Sequence, residues 1–443
     1  MNVPEILFYG DDFTGATDTL ATATRAGLRT LLFLQVPTAE RLAAAGPLDC
    51  IGIAGASRSM APAEMRRELA PVAALFARSG ARVLHYKTCS TFDSAPEVGS
   101  IGVAIDALRP AVTESWTAIV GGQPDLERYC LFGNLFAAAG SGAEVHRIDR
   151  HPTMSRHPVT PMHEADLRRH FALQGMDSVR SVAWTVYAKG GAAVSEALAS
   201  ALGSSAAPVD AVLFDVGDNA HLAAIGQAVR ARMATAADPG RATQLVVGPS
   251  SVVQAFAPPP SCAVDAVAVA AAEGPVLVWA GSLSPVTARQ VAASPSFEVL
   301  RFDARRLATE AGYGEEVADL LAGRLSAGAH VLGCTVGAAG SDAADAPVPA
   351  RELARAGGDV LARVLDTTPL TRLGVAGGDT SSHAVQALDA WGLSYLAALS
   401  PGAALCRLHS DRPSLDGVEI MLKGGQMGAV DVFERLVRGT LRA

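Results

Sequence analysis

Asp11 and Asp12 stand in the stretch Glu5-Ile-Leu-Phe-Tyr-Gly-Asp-Asp-Phe-Thr-Gly-Ala-Thr-Asp18, where an apolar run breaks into an acidic Gly/Thr turn and then into helix-forming residues. Two adjacent carboxylates after a strand-like run can bind hydroxyls, take a proton or hold a metal. In an open α/β sheet that position, the carboxyl end of a strand, is where ligands bind. Thr14 and Gly15 suit close approach to the free N–H groups of a helix start. The plainer alternative is that Asp12 or Thr14 only caps the helix.

Three lysines, Lys87, Lys189 and Lys423, serve a chain with 36 basic residues. Where arginine supplies nearly every positive charge, a retained lysine marks a need for a compact, rotatable ammonium. Lys87 opens a polar run, Lys87-Thr-Cys-Ser-Thr-Phe-Asp-Ser94, after the strand-like Val83 to Tyr86, and Lys423 opens Lys423-Gly-Gly-Gln-Met-Gly428. Lys189 precedes Gly190-Gly191 and could be an ordinary loop residue. Arg58, in Ala56-Ser-Arg-Ser59 past another strand end, could fork onto a carboxylate or stay a surface arginine. Cys89 is the one cysteine in a polar stretch. The other five are scattered without a C-x-x-C pair and read as reduced, buried thiols.

The elements that position these groups alternate strand and helix, with strands at Thr30 to Gln35, Cys50 to Ala54, Val83 to Tyr86, Ala183 to Val186, Ala211 to Asp215 and Gln244 to Val247. Parallel order puts their polar turns on one edge, so they can converge on one ligand. Gly248-Pro-Ser-Ser251 opens another helix, as an anion site or a plain cap. The segment His151 to His163, with Pro152, Pro158 and Pro161, reads as a connector carrying surface imidazoles, not a metal site.

At 443 residues two domains are expected. We place the boundary at the Pro-rich Ala257-Pro-Pro-Pro-Ser261, giving domains 1–257 and 275–443 joined by a linker, 258–274. The second half contains Gly281-Ser-Leu-Ser-Pro-Val-Thr-Ala-Arg-Gln290, Gly377-Gly-Asp-Thr-Ser-Ser382 and Lys423 to Gly428, three Gly/Ser/Thr turns that follow strand-like runs. Between them a strand over His330 to Thr335 leads into a polar loop reaching about residue 347. None fits the Walker pattern or the spaced dinucleotide fingerprint. The adjacent acids of Asp11-Asp12 also fail the D-x-D spacing of haloacid-dehalogenase phosphatases. A net charge of −8 without a basic tract argues against a nucleic-acid partner. The sequence shows neither a secretory leader nor an apolar span, so a cytoplasmic protein without membrane attachment is expected.

Taken together, Gly10 to Asp18, Ala56 to Ser59, Gly281 to Gln290, Ala376 to Ser381 and Leu422 to Gly428 resemble the four-carbon acid sugar kinase family, across both halves of the chain. The resemblance implies an α/β protein of two dissimilar three-layer α/β/α domains, with mostly parallel or mixed sheets and a substrate cleft between them. It implies an N-terminal sugar-acid-binding domain and a C-terminal nucleotide-binding domain. The implied activity is ATP-dependent phosphorylation of a hydroxyl on a small sugar acid in carbohydrate catabolism, with ATP and Mg²⁺. A homodimer is compatible with it.

By the same resemblance Ser282, Ser284, Thr287, Gly377, Gly378, Asp379, Thr380, Gly425 and Gly428 contact the nucleotide, with Asp379 near the metal. Asp11, Arg58, Ser90, Thr91 and Asp93 fall on the sugar-acid side, and Asp12 and Lys87 take the catalytic roles. One departure is informative. The family motif has an acid where this chain has Cys89 and an arginine where it has Asp93. Reversed charge there implies an acid other than a plain tetronate, such as a branched or oxo-substituted one of the 3-oxo-isoapionate type. The alternative from another class is a non-catalytic sensor of a sugar acid or nucleotide.

Overall fold

The computed structural model describes residues 3–140, 142–157, 159–203, 208–257, 268–281, 284–336, 349–425 and 427–440, and at positions 336, 350, 351 and 379 the backbone alone. Ser282, Cys262, most of the expected 258–274 linker and the polar loop before residue 347 therefore lie outside the described residues. The strands, in chain order, are β1 (Ile6–Gly10), β2 (Thr30–Phe33), β3 (Cys50–Ala54), β4 (Val83–Lys87), β5 (Thr117–Val120), β6 (Arg128–Leu131), β7 (Asn134–Ala138), β8 (Val145–Arg147), β9 (Val179–Val182), β10 (Ala211–Phe214), β11 (Gln244–Gly248), β12 (Val276–Ala280), β13 (Glu298–Asp303), β14 (Val331–Val336), β15 (Arg372–Ala376), β16 (Gly392–Ser400), β17 (Ala403–His409) and β18 (Glu419–Lys423).

They fall into two compact units, Met1–Thr30 with Gln35–Cys262, and Leu31–Leu34 with Ala263–Ala443. The short second strand is thus set apart from its sequence neighbours, where the sequence reads 1–257 as one stretch.

The first unit holds a parallel sheet in the order β3-β1-β4-β11-β5-β10-β9. Every residue of β1, β3, β4 and β11 is buried, as parallel strands covered on both faces require. The chain places β3 on one side of β1 and β4 on the other, so the carboxyl end of β1 is a topological switch point. The helix Phe13–Arg25 follows at once and buries Phe13, Ala16, Leu20 and Ala23, one face at helical spacing.

A second, antiparallel sheet, β6-β7-β8, lies in the same unit. Its β6–β7 turn is held by Asp215, fully buried at the end of β10, which accepts from the N–H groups of Phe132 (2.6 Å) and Gly133 (2.9 Å). The strand expected over 183–186 ends earlier, at Val182. The Trp184 N–H turns aside to the same Asp215 carboxylate at 3.2 Å, and Trp184–Lys189 forms a 3-10 turn.

The second unit holds a mixed sheet in the order β13-β14-β12-β15-β18-β17-β16-β2. Its first five strands are parallel and the rest antiparallel. Val276, Val278, Leu332, Met421, Phe433 and Leu436 lie in its core. The adjacent strands β12, β15 and β18 end in the three Gly/Ser/Thr turns.

Candidate functional site

In the first unit Gly10 is in register with Ala54 on β3 and Lys87 on β4, so the strand ends deliver Asp11, Arg58 and Lys87 to one place. Backbone bonds fix the turns. The Asp11 N–H donates to the Lys87 carbonyl at 3.0 Å, and the Arg58 N–H to the Asp11 carbonyl at 3.1 Å. Arg58 forks onto Asp11 through Nε (3.1 Å) and NH2 (2.9 Å), while its NH1 lies 3.1 Å from Asp12 Oδ2. Asp12 also caps the helix, its Oδ1 accepting from the Gly15 N–H at 2.9 Å. Capping and ion pairing therefore coexist in one carboxylate.

Lys87 is buried, with Nζ 3.7 Å from Asp12 and 4.0 Å from Asp11. Those separations are ionic contacts longer than a hydrogen bond, so the ammonium keeps donors for a ligand. A Cβ on Gly15 would lie 1.7 Å from Nζ, which explains the glycine: the ammonium occupies the space a side chain would take.

The two acids are not equivalent. Side-chain exposure is 7% at Asp11 and 24% at Asp12, so Asp12 is the more accessible. Burial raises the proton affinity of Asp11 against the pull of Arg58 and Lys87. At Asp12 burial is outweighed by those two cations and the Gly15 N–H, which hold its carboxyl below the ordinary range. A partly exposed, ionised carboxylate beside a more buried partner can serve as a proton acceptor.

The loop after β4 brings Ser90, Thr91 and Asp93 to the same edge, all buried. Asp93 accepts from Thr91 Oγ1 (2.5 Å) and from Thr160 Oγ1 (3.0 Å). Although burial opposes its charge, Arg58 and these hydroxyls keep its carboxyl below the usual range. Phe92 between them has a left-handed φ of 51° and is buried against the edge of Phe171. A non-glycine residue held there signals a loop fixed in shape by its surroundings. Burial and the neighbouring Asp93 push the Cys89 thiol up, and its Sγ lies 2.9 Å from Thr91 Oγ1, whose one proton goes to Asp93, so it is a protonated packing partner.

Thr160 is a residue that sequence reasoning missed. It comes from the Pro-rich segment, in which His163 is exposed as expected while His151 and His157 are tied into the structure. His151 is buried, with Nδ1 accepting from the N–H groups of Thr153 and Met154, and His157 Nδ1 accepts from the Thr160 N–H. The cue was present, since three prolines restrict the segment enough to pack. The Gly248-Pro-Ser-Ser251 turn is also structural. Ser250 Oγ donates to Asp18 and Ser251 Oγ to the Gly122 carbonyl, so its hydroxyls are consumed.

In the second unit Ser284 caps the helix Pro285–Ala292, accepting from the Thr287 N–H at 3.1 Å. Ser284 and Thr287 both donate through their hydroxyls to the Gly425 carbonyl. Gln290 Nε2 reaches the carbonyls of Met427 and Gly428 at 3.0 Å. Gly377, at φ 120°, turns β15 into the helix Gly378–Ala387, whose buried Thr380 packs so close that a Cβ on Gly281 would lie 2.3 Å from its Oγ1. The candidates Ser284, Thr287, Gly377, Gly378, Thr380, Gly425 and Gly428 thus belong to turns at the ends of adjacent strands. The side chain of Asp379 lies outside the described residues. Among the described residues no three His, Cys, Asp or Glu side chains gather as a metal site, and no helix is long and apolar enough to cross a membrane.

Of the three lysines, Lys87 and Lys423 are buried and Lys189 is exposed. An ion cluster lies at a switch point in one unit and a set of Gly/Ser/Thr turns at strand ends in the other, groups of the kinds that phosphoryl transfer uses. Comparison with known proteins agrees. Residues 6–256 match the family described as a sugar-binding N-terminal domain, and residues 277–433 the family described as a nucleotide-binding C-terminal domain.

The chain is 41% identical to a Paraburkholderia graminis protein named 3-oxo-isoapionate kinase, covering 98% of this chain and 94% of that one. It is 31% identical to a Cupriavidus necator protein named 3-oxo-tetronate kinase, covering 97% and 95%. A solved structure from Salmonella typhimurium LT2, provisionally described as a tRNA synthase, shares the fold with a TM-score of 0.78 at 25% identity over 98% of both chains. The chain belongs to the tetronate kinase-like family of sugar acid kinases.

Proposed function

We propose that the protein transfers the γ-phosphoryl group of ATP to a hydroxyl of a small four-carbon or branched sugar acid, of the 3-oxo-tetronate or 3-oxo-isoapionate kind. The observation that carries this reading is the cluster of Asp11, Asp12, Arg58 and Lys87 at the switch point of the domain described as sugar-binding. The whole-length likeness to named sugar acid kinases supports it.

Asp12 accepts the proton of the acceptor hydroxyl as that oxygen bonds to phosphorus and the bond from phosphorus to the ADP oxygen breaks. Arg58 keeps Asp12 ionised and, with Asp11, fixes its position. Lys87 turns its remaining donors to the substrate carboxylate or to the transferring phosphoryl group. Ser90 and Thr91 hydrogen-bond substrate hydroxyls, and Asp93 sets the shape and polarity of the loop that receives them.

ATP is assigned to the turns bearing Ser282, Ser284, Thr287, Gly377, Gly378, Thr380, Gly425 and Gly428. Helix-start N–H groups there suit phosphate. Mg²⁺, held by Asp379 together with phosphate oxygens, would neutralise charge on the transferred group. A cytoplasmic location and a homodimer, to be checked by light scattering, belong to the same proposal.

The test is ADP release over a panel of four-carbon and branched sugar acids, with the phosphorylated product mapped. Turnover on an oxo or branched acid is expected. Binding of ATP and acid without turnover on any acid would instead indicate a sensor.

A further inference from the structure

Lys423 ends β18 and is fully buried. Its Nζ donates to Thr287 Oγ1 at 3.1 Å and to the Gly424 carbonyl at 3.0 Å, both neutral acceptors, and stands 5.9 Å from the Phe433 ring. Its register neighbours on β15 and β17 are Ala376 and Ala403. Among the described residues, the charged groups on the surrounding elements are engaged elsewhere or exposed. Arg372 of β15 pairs with Glu419, and Glu434 of the helix Val432–Arg438 is bound by Ser296 and Arg438. Arg435 pairs with Asp431, while Arg407 of β17 and Arg289 of the helix Pro285–Ala292 are exposed. His409 of β17 bonds to Ser394, and burial pushes the Cys406 thiol of that strand up to about 12. The helix Gly378–Ala387 contributes His383 and Asp379, the latter with its side chain outside the described residues.

A buried ammonium with neutral partners is costly unless an anion completes it. Both of its acceptors, Thr287 and Gly424, lie in the turns assigned to nucleotide. We infer that Lys423 is a positioning residue of the nucleotide site: it holds Thr287 and the Gly424–Gly425 turn in place and supplies their positive charge, with the phosphates of bound nucleotide as its counter-ion. This rests on the kinase reading and adds to it a residue outside the set that the resemblance assigns.

The consequence is proton linkage. Burial holds Lys423 down to about 8, so the free protein loses this charge above that pH. Bound phosphates favour the charged form and raise the value, so nucleotide binding takes up a proton above about pH 8. Affinity then falls as pH rises, by at most about tenfold per pH unit for one proton.

The experiment is calorimetric titration of the full chain with ADP from about pH 7 to about pH 9.5, in two buffers of different ionisation enthalpy. Wild type and Lys423→Met are compared. Wild type should take up a fraction of a proton and lose roughly tenfold in affinity across the upper half of that range. Lys423→Met should bind at least about tenfold more weakly near pH 7, with no uptake and a flat profile.

Replacing a buried ammonium by a similar apolar side chain is close to neutral for stability, so Lys423→Met should melt near wild type. The wild-type profile needs no variant in any case. Wild type binding ADP with no uptake, or equal uptake in Lys423→Met, overturns the inference alone. Wild type binding neither ADP nor ATP overturns the kinase reading, and this inference with it.

Discussion

Two lysines end parallel strands, one in each unit, and their surroundings are opposite. Lys87 faces two carboxylates, and a guanidinium forks between the same pair. Lys423 has a hydroxyl and a carbonyl. The contrast teaches how two anionic ligands can be sorted. Asp11, Asp12, Arg58 and Lys87 sum to no net charge and Asp93 adds a negative one, so on the proposed reading that edge rewards a ligand offering hydroxyls. The turns around Lys423 offer N–H groups and one positive charge, which rewards phosphate.

The comparison breaks most sharply at Asp12. Asp12→Asn keeps the helix cap but cannot take the proton, so turnover should fall by roughly 10² to 10⁴ with ADP affinity near wild type. Steady-state kinetics beside a nucleotide titration check this. Turnover close to wild type would remove Asp12 from catalysis.

Gly15→Ala probes the same edge through geometry. The new methyl displaces the side-chain ends of Lys87 and Asp12 and no backbone, so melting should change little while kcat/KM drops by about 10² through misplacement of the ammonium and the carboxylate. An unchanged kcat/KM would show that the position of Lys87 is unimportant. Asp93→Ala should reduce the preference for branched over unbranched acids by roughly tenfold, measured as a ratio of kcat/KM values. Equal discrimination in both proteins would leave Asp93 a purely structural partner of Thr91 and Thr160.

The smallest effect concerns pH. Because Arg58 helps hold Asp12 below the ordinary carboxylate range, its base form survives as pH falls through that range, and kcat/KM should stay level there. In Arg58→Gln the acid limb should move up toward ordinary carboxylate values. A limb that stays in place would exclude Asp12 as the group it reports.

Much of this was legible before the fold. The apolar runs behind β1, β3, β4 and β18 are continuous because parallel strands are buried on both faces, and each polar turn follows one directly. The scarcity of lysine singled out Lys87 and Lys423. What stayed hidden depends on long-range pairing. The β16–β17 hairpin carries a Pro401-Gly402 turn signal, but that β16 would also pair with Leu32 and Phe33 is not written in either segment. Thr160 meets Asp93 across 67 residues, and no local periodicity encodes that bond. The Asp12 cap was weighed against a functional role as if the two excluded each other, whereas two carboxylate oxygens serve both.

Hydrogen exchange of the full chain, with a non-hydrolysable ATP analogue alone and with the sugar acid alone, tests the division of labour most directly. The nucleotide should protect amides in 284–290, 377–381 and 423–428, and the acid those in 11–16, 57–59 and 87–94. Protection of 11–16 and 87–94 by the nucleotide alone, with 377–381 and 423–428 unaffected, would contradict it.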